Sequence, residues 1–276
     1  MTVPLIISAP HACRTVSPEV KKRLLLSDYQ IWQLNDPFTD ETCQHPKAFA
    51  HHIGDVHRLC CDLSHGNPPT RPFGNSDFYG RPIYKPGQEF TTKERQYFLK
   101  NHAEKFRENI TESIKKLANA GCEQILFVDH HNTAGDHPVG KTGKYMPVID
   151  VCNGGAAHTG EPLDDEEVDG VSCPAEFLQT FKRGFESSLG LPAEINTVYS
   201  MSHTGRWILN EVQPKFPQMK IHLLFLEYNL SFIHNPVTQK NDSEAKEKIH
   251  QAINGGIDVI LEKYFRESDN LSTTIL

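Results

Sequence analysis

Short apolar runs that stop abruptly at polar or ionisable residues punctuate the chain, at residues 3–9, 56–63, 124–129, 147–151, 196–199 and 220–227. Several are apolar almost throughout rather than alternating, the pattern of strands covered on both faces in a mainly parallel sheet. Between them, apolar residues recur at helical spacing. The clearest case is 92–120, where Leu99, Phe106, Ile110, Ile114 and Leu117 form the stripe and Gly121 stands at the stop. A second helix is predicted over 243–264 through Ile249, Ile253, Ile257 and Ile260, with shorter ones at 18–26, near Phe49, at 174–189 and at 205–211. Strands alternating with helices predict an α/β fold: a three-layer domain with a mainly parallel or mixed sheet flanked by helices. Residues 64–90, crowded with Pro, Gly, Asn and Tyr, and residues 152–172, with the acidic run EPLDDEEVDG, read as long loops of the kind that carry function. No repeat or linker divides the 276 residues, so a single domain over 1–276 is expected.

Composition narrows the function. The formal charge is −7 and Lys and Arg gather into no basic stripe, which argues against a nucleic-acid partner. No run approaches the roughly 20 apolar residues that span a bilayer, and the N-terminal apolar run is too short for a signal segment. A soluble, unexported, cytoplasmic protein is expected, with no membrane partner. The seven cysteines show no CxxC spacing, so free thiols are the expected state. Histidine, with 15 copies, is the outlying residue type and directs attention to a metal site.

Three strand ends carry the candidate chemistry. The first apolar run leads into Pro10-His11, the third into Asp129-His130-His131, and the last into Glu227. Open α/β sheets bind ligands outside the carboxyl ends of their strands, so these groups are expected along one edge. Catalytic zinc takes three protein donors and keeps a position open for water. His11 and His131 are two candidate ligands, and the third is expected from Phe38-Thr39-Asp40-Glu41, with Asp40 and Glu41 both open. A metal there lowers the pKa of water toward neutrality, and Glu227 is placed to accept the proton and return it to a leaving amine. Asp129 is expected to orient His131. Zn2+ is preferred from the nitrogen donors, with iron, manganese and nickel as alternatives.

Each group taken singly has a plainer reading, as a loop or core histidine or a turn-forming carboxylate. His51 and His52, on the helix predicted near Phe49, diverge by about 100° and do not suit one metal. His102 shares a helical face with Phe106 and reads as packing. Cys60 and Cys61, in the strand predicted over 56–63, are expected on opposite faces. The absence of a GxSxG elbow argues against a nucleophilic hydrolase.

In order along the chain, SAPHA, FTD, DLS, PIYKPG, VDHHNT, DGVSC and FLEYN resemble the N-formylglutamate amidohydrolase family over most of the sequence. The resemblance implies a phosphorylase/hydrolase-like fold shared with zinc carboxypeptidases and aspartoacylase, and hydrolysis of a C–N amide bond outside a peptide chain. It puts the histidine of the family's PHA on His11, the acid of its DTD on Asp40, the histidine of its DxHS on His131, and its late strand-end glutamate on Glu227. His130 stands where the family has a small residue, and Asn132 where a serine follows. The resemblance also offers Arg58, four residues before Asp62, as the group that polarises the scissile carbonyl and stabilises the oxyanion.

The family's DLNR, in which the Asn-Arg pair looks like a carboxylate clamp, becomes DLSH here. Ser64 and His65 therefore stand at the substrate position, and the departure sets the expected substrate apart from N-formylglutamate. Arg206, Arg71 and Arg81 compete for the carboxylate. The implied partner is a small acylated amino acid or related amide. A zinc carboxypeptidase-like enzyme acting on short peptides and a catalytically silent ligand-binding relative are the alternative readings.

Overall fold

The computed structural model describes residues 3–64, 74–77, 79–134, 145–163 and 170–265. Its strands β1 (Leu5–Ala9), β2 (Ala50–Ile53), β3 (Gln124–Thr133), β4 (Ile149–Cys152), β5 (Ala193–Ile195) and β6 (Lys220–Asn229) form one sheet in the order β2-β1-β3-β6-β4-β5. The pairs β1–β2, β1–β3, β3–β6 and β4–β5 are parallel, and β4–β6 is antiparallel. The helices are α1 (Pro18–Lys21), α2 (Asp28–Gln33), α3 (Thr39–Thr42), α4 (Thr92–Phe98), α5 (Glu104–Asn119), α6 (Ala175–Leu189), α7 (His203–Trp207) and α8 (Ser243–Tyr264). None of the described helices is long and apolar enough to cross a membrane.

Burial on both faces explains the unbroken apolar runs. Leu126 and Val128 of β3, with Leu224, Leu226 and Tyr228 of β6, enter a core shared with Phe181 and Phe185 of α6 and Ile253 and Ile257 of α8. Ile125 and Phe127, with Leu223 and Phe225, enter a second core shared with Phe106, Ile110 and Ile114 of α5. Successive strand residues thus face opposite helix layers, the three-layer arrangement expected from the pattern.

Helix limits follow local chemistry. A capping box between Thr91 and Glu94 starts α4, Asp242 caps α8 by accepting from Glu244 N and Ala245 N, and Gly121 turns left-handed at φ 84° just after α5. A π-helical turn, Leu99–Ala103, joins α4 to α5 without breaking the stripe. The predicted helix at 18–26 contracts to α1, and the one at 205–211 begins at His203 and passes into a π turn over Ile208–Val212.

Three expectations are corrected. Residues near Phe49 form β2 rather than a helix. Among the described residues this edge strand pairs only with β1 and is half-buried along its length, so His51 and His52 alternate across a sheet. Residues 56–63 form turns, not a strand. His57 folds them locally, its Nδ1 accepting from Leu59 N at 3.1 Å and its Nε2 donating to the Ile31 carbonyl at 3.1 Å. Cys60 and Cys61 are accordingly buried in the same core rather than on opposite faces. Residues 196–199 form a loop after β5, because the buried Asp150 carboxylate takes the backbone N–H groups of Thr197, Val198 and Tyr199 that a sheet ladder needs.

Candidate active site

The parallel strands β1, β3 and β6 deliver their carboxyl ends to one edge, and register decides which side chains meet there. Ser8 of β1 lies opposite Asp129 of β3 and its hydroxyl donates to that carboxylate. His131 lies opposite Glu227 of β6, so imidazole and carboxylate stand side by side on one face. His11 follows β1 beyond Pro10. The chain leaving β2 passes so close to this exit that a Cβ at Gly54 would lie 2.1 Å from the Pro10 carbonyl oxygen.

Asp36 closes the group from the loop after α2. Its backbone N–H donates to the His11 carbonyl at 3.2 Å. Its Oδ2 then lies 3.1 Å from Nδ1 of His11 and 2.8 Å from Nδ1 of His131. The two imidazoles meet edge to face with centroids 4.9 Å apart. His11, Asp36 and His131 are all buried and offer ligand atoms within 4.8 Å of one another.

Each imidazole is backed at its other nitrogen. Nε2 of His11 lies 2.8 Å from Asp62 Oδ1, and Nε2 of His131 lies 3.2 Å from Asp129 Oδ2. The hydrogen bond to Asp62 fixes the ring of His11, the Asp129 ion pair backs that of His131, and both leave the Nδ1 atoms turned inward, the arrangement a metal-binding histidine needs. Asp62 is itself held by the Ser64 hydroxyl at 2.7 Å and by Arg58 Nη2 at 2.9 Å, while Arg58 Nη1 lies 3.5 Å from Asp36.

The electrostatics suit a cation. Burial works against charge on Asp36, but the charges of His11 and His131 and their hydrogen bonds outweigh it and hold the carboxyl far below its usual range. Burial likewise opposes charge on His131, yet Asp129 and Asp36 push its pKa well above the ordinary imidazole value. Asp129 stays low because His131 outweighs its desolvation. Burial raises Glu227 well above the normal carboxylate range, against the pull of His131 and Arg58. The field that holds a proton on His131 also suits a divalent ion, and two nitrogens with a carboxylate oxygen form a donor set that zinc accepts. The residues present therefore fit such a metal.

These groups floor a cleft of about 690 Å³, lined also by Asn35, Ser64, Tyr79, Asn132, Tyr199 and His203. Asp40 does not join them. The chain turns through Pro37 and a left-handed Phe38 (φ 72°) into α3, which carries Asp40 and Glu41 away from the cluster. There Asp40 pairs with Arg14 at 2.8 Å, and Glu41 pairs with Arg14 and Lys246. Asp36, four residues earlier, is the carboxylate that lies against the two imidazoles.

Arg58 lines the cleft, but its two terminal nitrogens face Asp62 and Asp36. Ser64 also lines it, with its hydroxyl turned to Asp62. Arg81 pairs with Asp77 and lies over the Tyr79 ring, 4.4 Å from its centroid. Arg206 is exposed on α7 and is not among the cleft-lining residues. His65 and Arg71 lie outside the described residues. Asp36 was hidden in Asn35-Asp36-Pro37, which reads as a turn. Asp62 stood in the DLS segment without an assigned task, and nothing in sequence marked Tyr199.

An α/β domain with a buried His–Asp–His cluster at the carboxyl edge of its sheet defines the class of protein. The profile of the N-formylglutamate amidohydrolase family matches residues 3–233, and the chain belongs to that family. The N-formylglutamate amidohydrolase of Ralstonia eutropha JMP134 superposes with a TM-score of 0.71 at 12% identity, covering 95% of this chain and 94% of that one. A gene product of Agrobacterium tumefaciens superposes at 0.60 with 15% identity, covering 93% and 91%. At such identities these likenesses show the fold alone. No curated protein matches the sequence.

Proposed function

We propose that the protein hydrolyses the C–N amide bond of a small N-acyl amino acid, a substrate of the N-formylglutamate kind, with a divalent metal, preferably Zn2+, held by His11, Asp36 and His131. The observation that carries this reading is the convergence of two Nδ1 atoms on one Asp36 oxygen, beside Glu227 on the neighbouring strand. When bound, the metal supplies Lewis acidity toward the amide carbonyl and lowers the pKa of water. The protein does the rest. Asp62 and Asp129 hold the imidazoles in the ligating orientation, and the cleft positions the amide against them.

Glu227 takes the proton of the attacking water on its carboxylate and returns it to the amine nitrogen as the C–N bond breaks. Its high proton affinity suits the second task, since a carboxyl raised by burial readily holds a proton until the amine leaves. Arg58, between Asp36 and Asp62, is proposed to steady the developing oxyanion by its positive charge. The seven free thiols fit a reducing compartment, the cytoplasm.

The test is turnover on a panel of N-formyl and N-acetyl amino acids and dipeptides. Glu227→Gln is expected to lose about 10²–10⁴-fold in kcat while keeping its metal. Near-normal turnover by that variant contradicts the mechanism, and preference for dipeptides moves the activity to the peptidase reading.

A further inference from the structure

His130 and Asn132, which alternate with His131 along β3, belong to a second set of buried polar groups, and Asn132 also lines the cleft. Asn132 lies opposite Tyr228 of β6, and its Nδ2 donates to the Tyr228 hydroxyl at 2.8 Å and to the Pro37 carbonyl at 2.6 Å. The Tyr228 hydroxyl donates to the same Pro37 carbonyl at 3.3 Å. Thr42 accepts from His130 Nε2 at 3.0 Å and donates to the Phe38 carbonyl at 3.0 Å.

All four side chains are almost completely buried. Their hydrogen bonds end on two consecutive carbonyls, those of Pro37 and Phe38, immediately after Asp36. Phe38 needs such support, because a bulky residue at φ 72° is held against its own backbone preference.

We propose that Asn132, Tyr228, Thr42 and His130 form a clamp on the 37–38 turn that fixes Asp36 in its ligating position, so that this buried network sets metal affinity. These are positioning residues. They act only through Asp36, and the inference rests on the metal reading given above. Two of them, His130 and Asn132, stand where this chain departs from the family pattern, so the clamp ties both departures to one task.

The experiment measures zinc affinity of the purified full-length protein by competition with a chromophoric chelator at fixed pH. Asn132→Ser removes the donor to Pro37, and Tyr228→Phe removes a hydroxyl while keeping the ring packed. Each is expected to weaken zinc binding about 10–100-fold, the range for groups that orient a ligand. Ser172→Ala is the control for general destabilisation, because it loses a buried 2.7 Å hydrogen bond to Leu223 remote from Asp36. It is expected to bind as wild type.

Wild-type affinity in both clamp variants overturns the inference and leaves the metal reading standing. Equal weakening in Ser172→Ala also overturns it, since general loosening then accounts for the effect. A wild-type protein that binds no zinc overturns the metal reading and the clamp together.

Discussion

Each of the two candidate metal-binding imidazoles stands between two buried carboxylates. A histidine with one nitrogen against a buried carboxylate has its ring plane and its inward nitrogen decided before any ligand arrives, which lowers the ordering cost of binding. Asp62 does this for His11 through a 2.8 Å hydrogen bond, Asp129 faces Nε2 of His131 as an ion pair at 3.2 Å, and each carboxylate is in turn held by a hydroxyl, from Ser64 and Ser8. Asp36 then joins the two rings through one oxygen. The resemblance to the family's DTD favours Asp40, while the residues alone leave Asp40 and Glu41 both open. The backbone decides otherwise, because the left-handed Phe38 reverses direction between the two acids and leaves only the earlier one facing inward. Arg58 is tied to two carboxylates of the group, so its charge serves their alignment as well as any developing anion.

Among the elements, α6 and α8 approach each other closely through glycine. A Cβ at Gly184 of α6 would lie 2.8 Å from the Gly255 carbonyl oxygen and 2.9 Å from the Gly256 Cα of α8. Gly184→Ala is therefore expected to lower stability by about 1–3 kcal/mol through overpacking, despite the better helix propensity of alanine. The urea midpoint checks this, and a neutral or stabilised variant contradicts the packing argument. The elements with two buried faces, β1, β3 and β6, were legible in sequence because their apolar runs are long and unbroken. So were α6, α8 and the stripe over 92–120. β2 was not, since a half-buried edge strand with two histidines has neither alternation nor a continuous apolar run. Residues 56–63 misled for the opposite reason. They are apolar because they are buried, but His57 satisfies their backbone locally, and burial without a ladder looks like a strand in sequence.

For the molecule as a whole, the strand-end histidines and Glu227 were legible as candidates, but their convergence depends on register between β3 and β6, which no motif encodes. Buried histidines also give the folded state a pH dependence. Burial lowers His52, His57 and His222 to about 4, against about 6.5 in an unfolded chain. Between these values the unfolded state binds more protons, so stability is expected to fall as pH drops from 6.5 toward 4. Glu227, raised by burial, works the other way over part of that window and is outnumbered by the three imidazoles. The raised His131 contributes fully below 6.5 and loses its contribution only as pH rises through its folded value. Urea unfolding at pH 6.5 and pH 5 checks the sign, and equal stability at the two contradicts it. On the proposed reading Asp36, not Asp40, completes a metal centre with His11 and His131. Zinc content after reloading metal-depleted protein distinguishes the two carboxylates. About one zinc per chain is expected in wild type and in Asp40→Ala, and none in Asp36→Ala. Zinc retained by Asp36→Ala, or absent from the wild-type protein, contradicts the account.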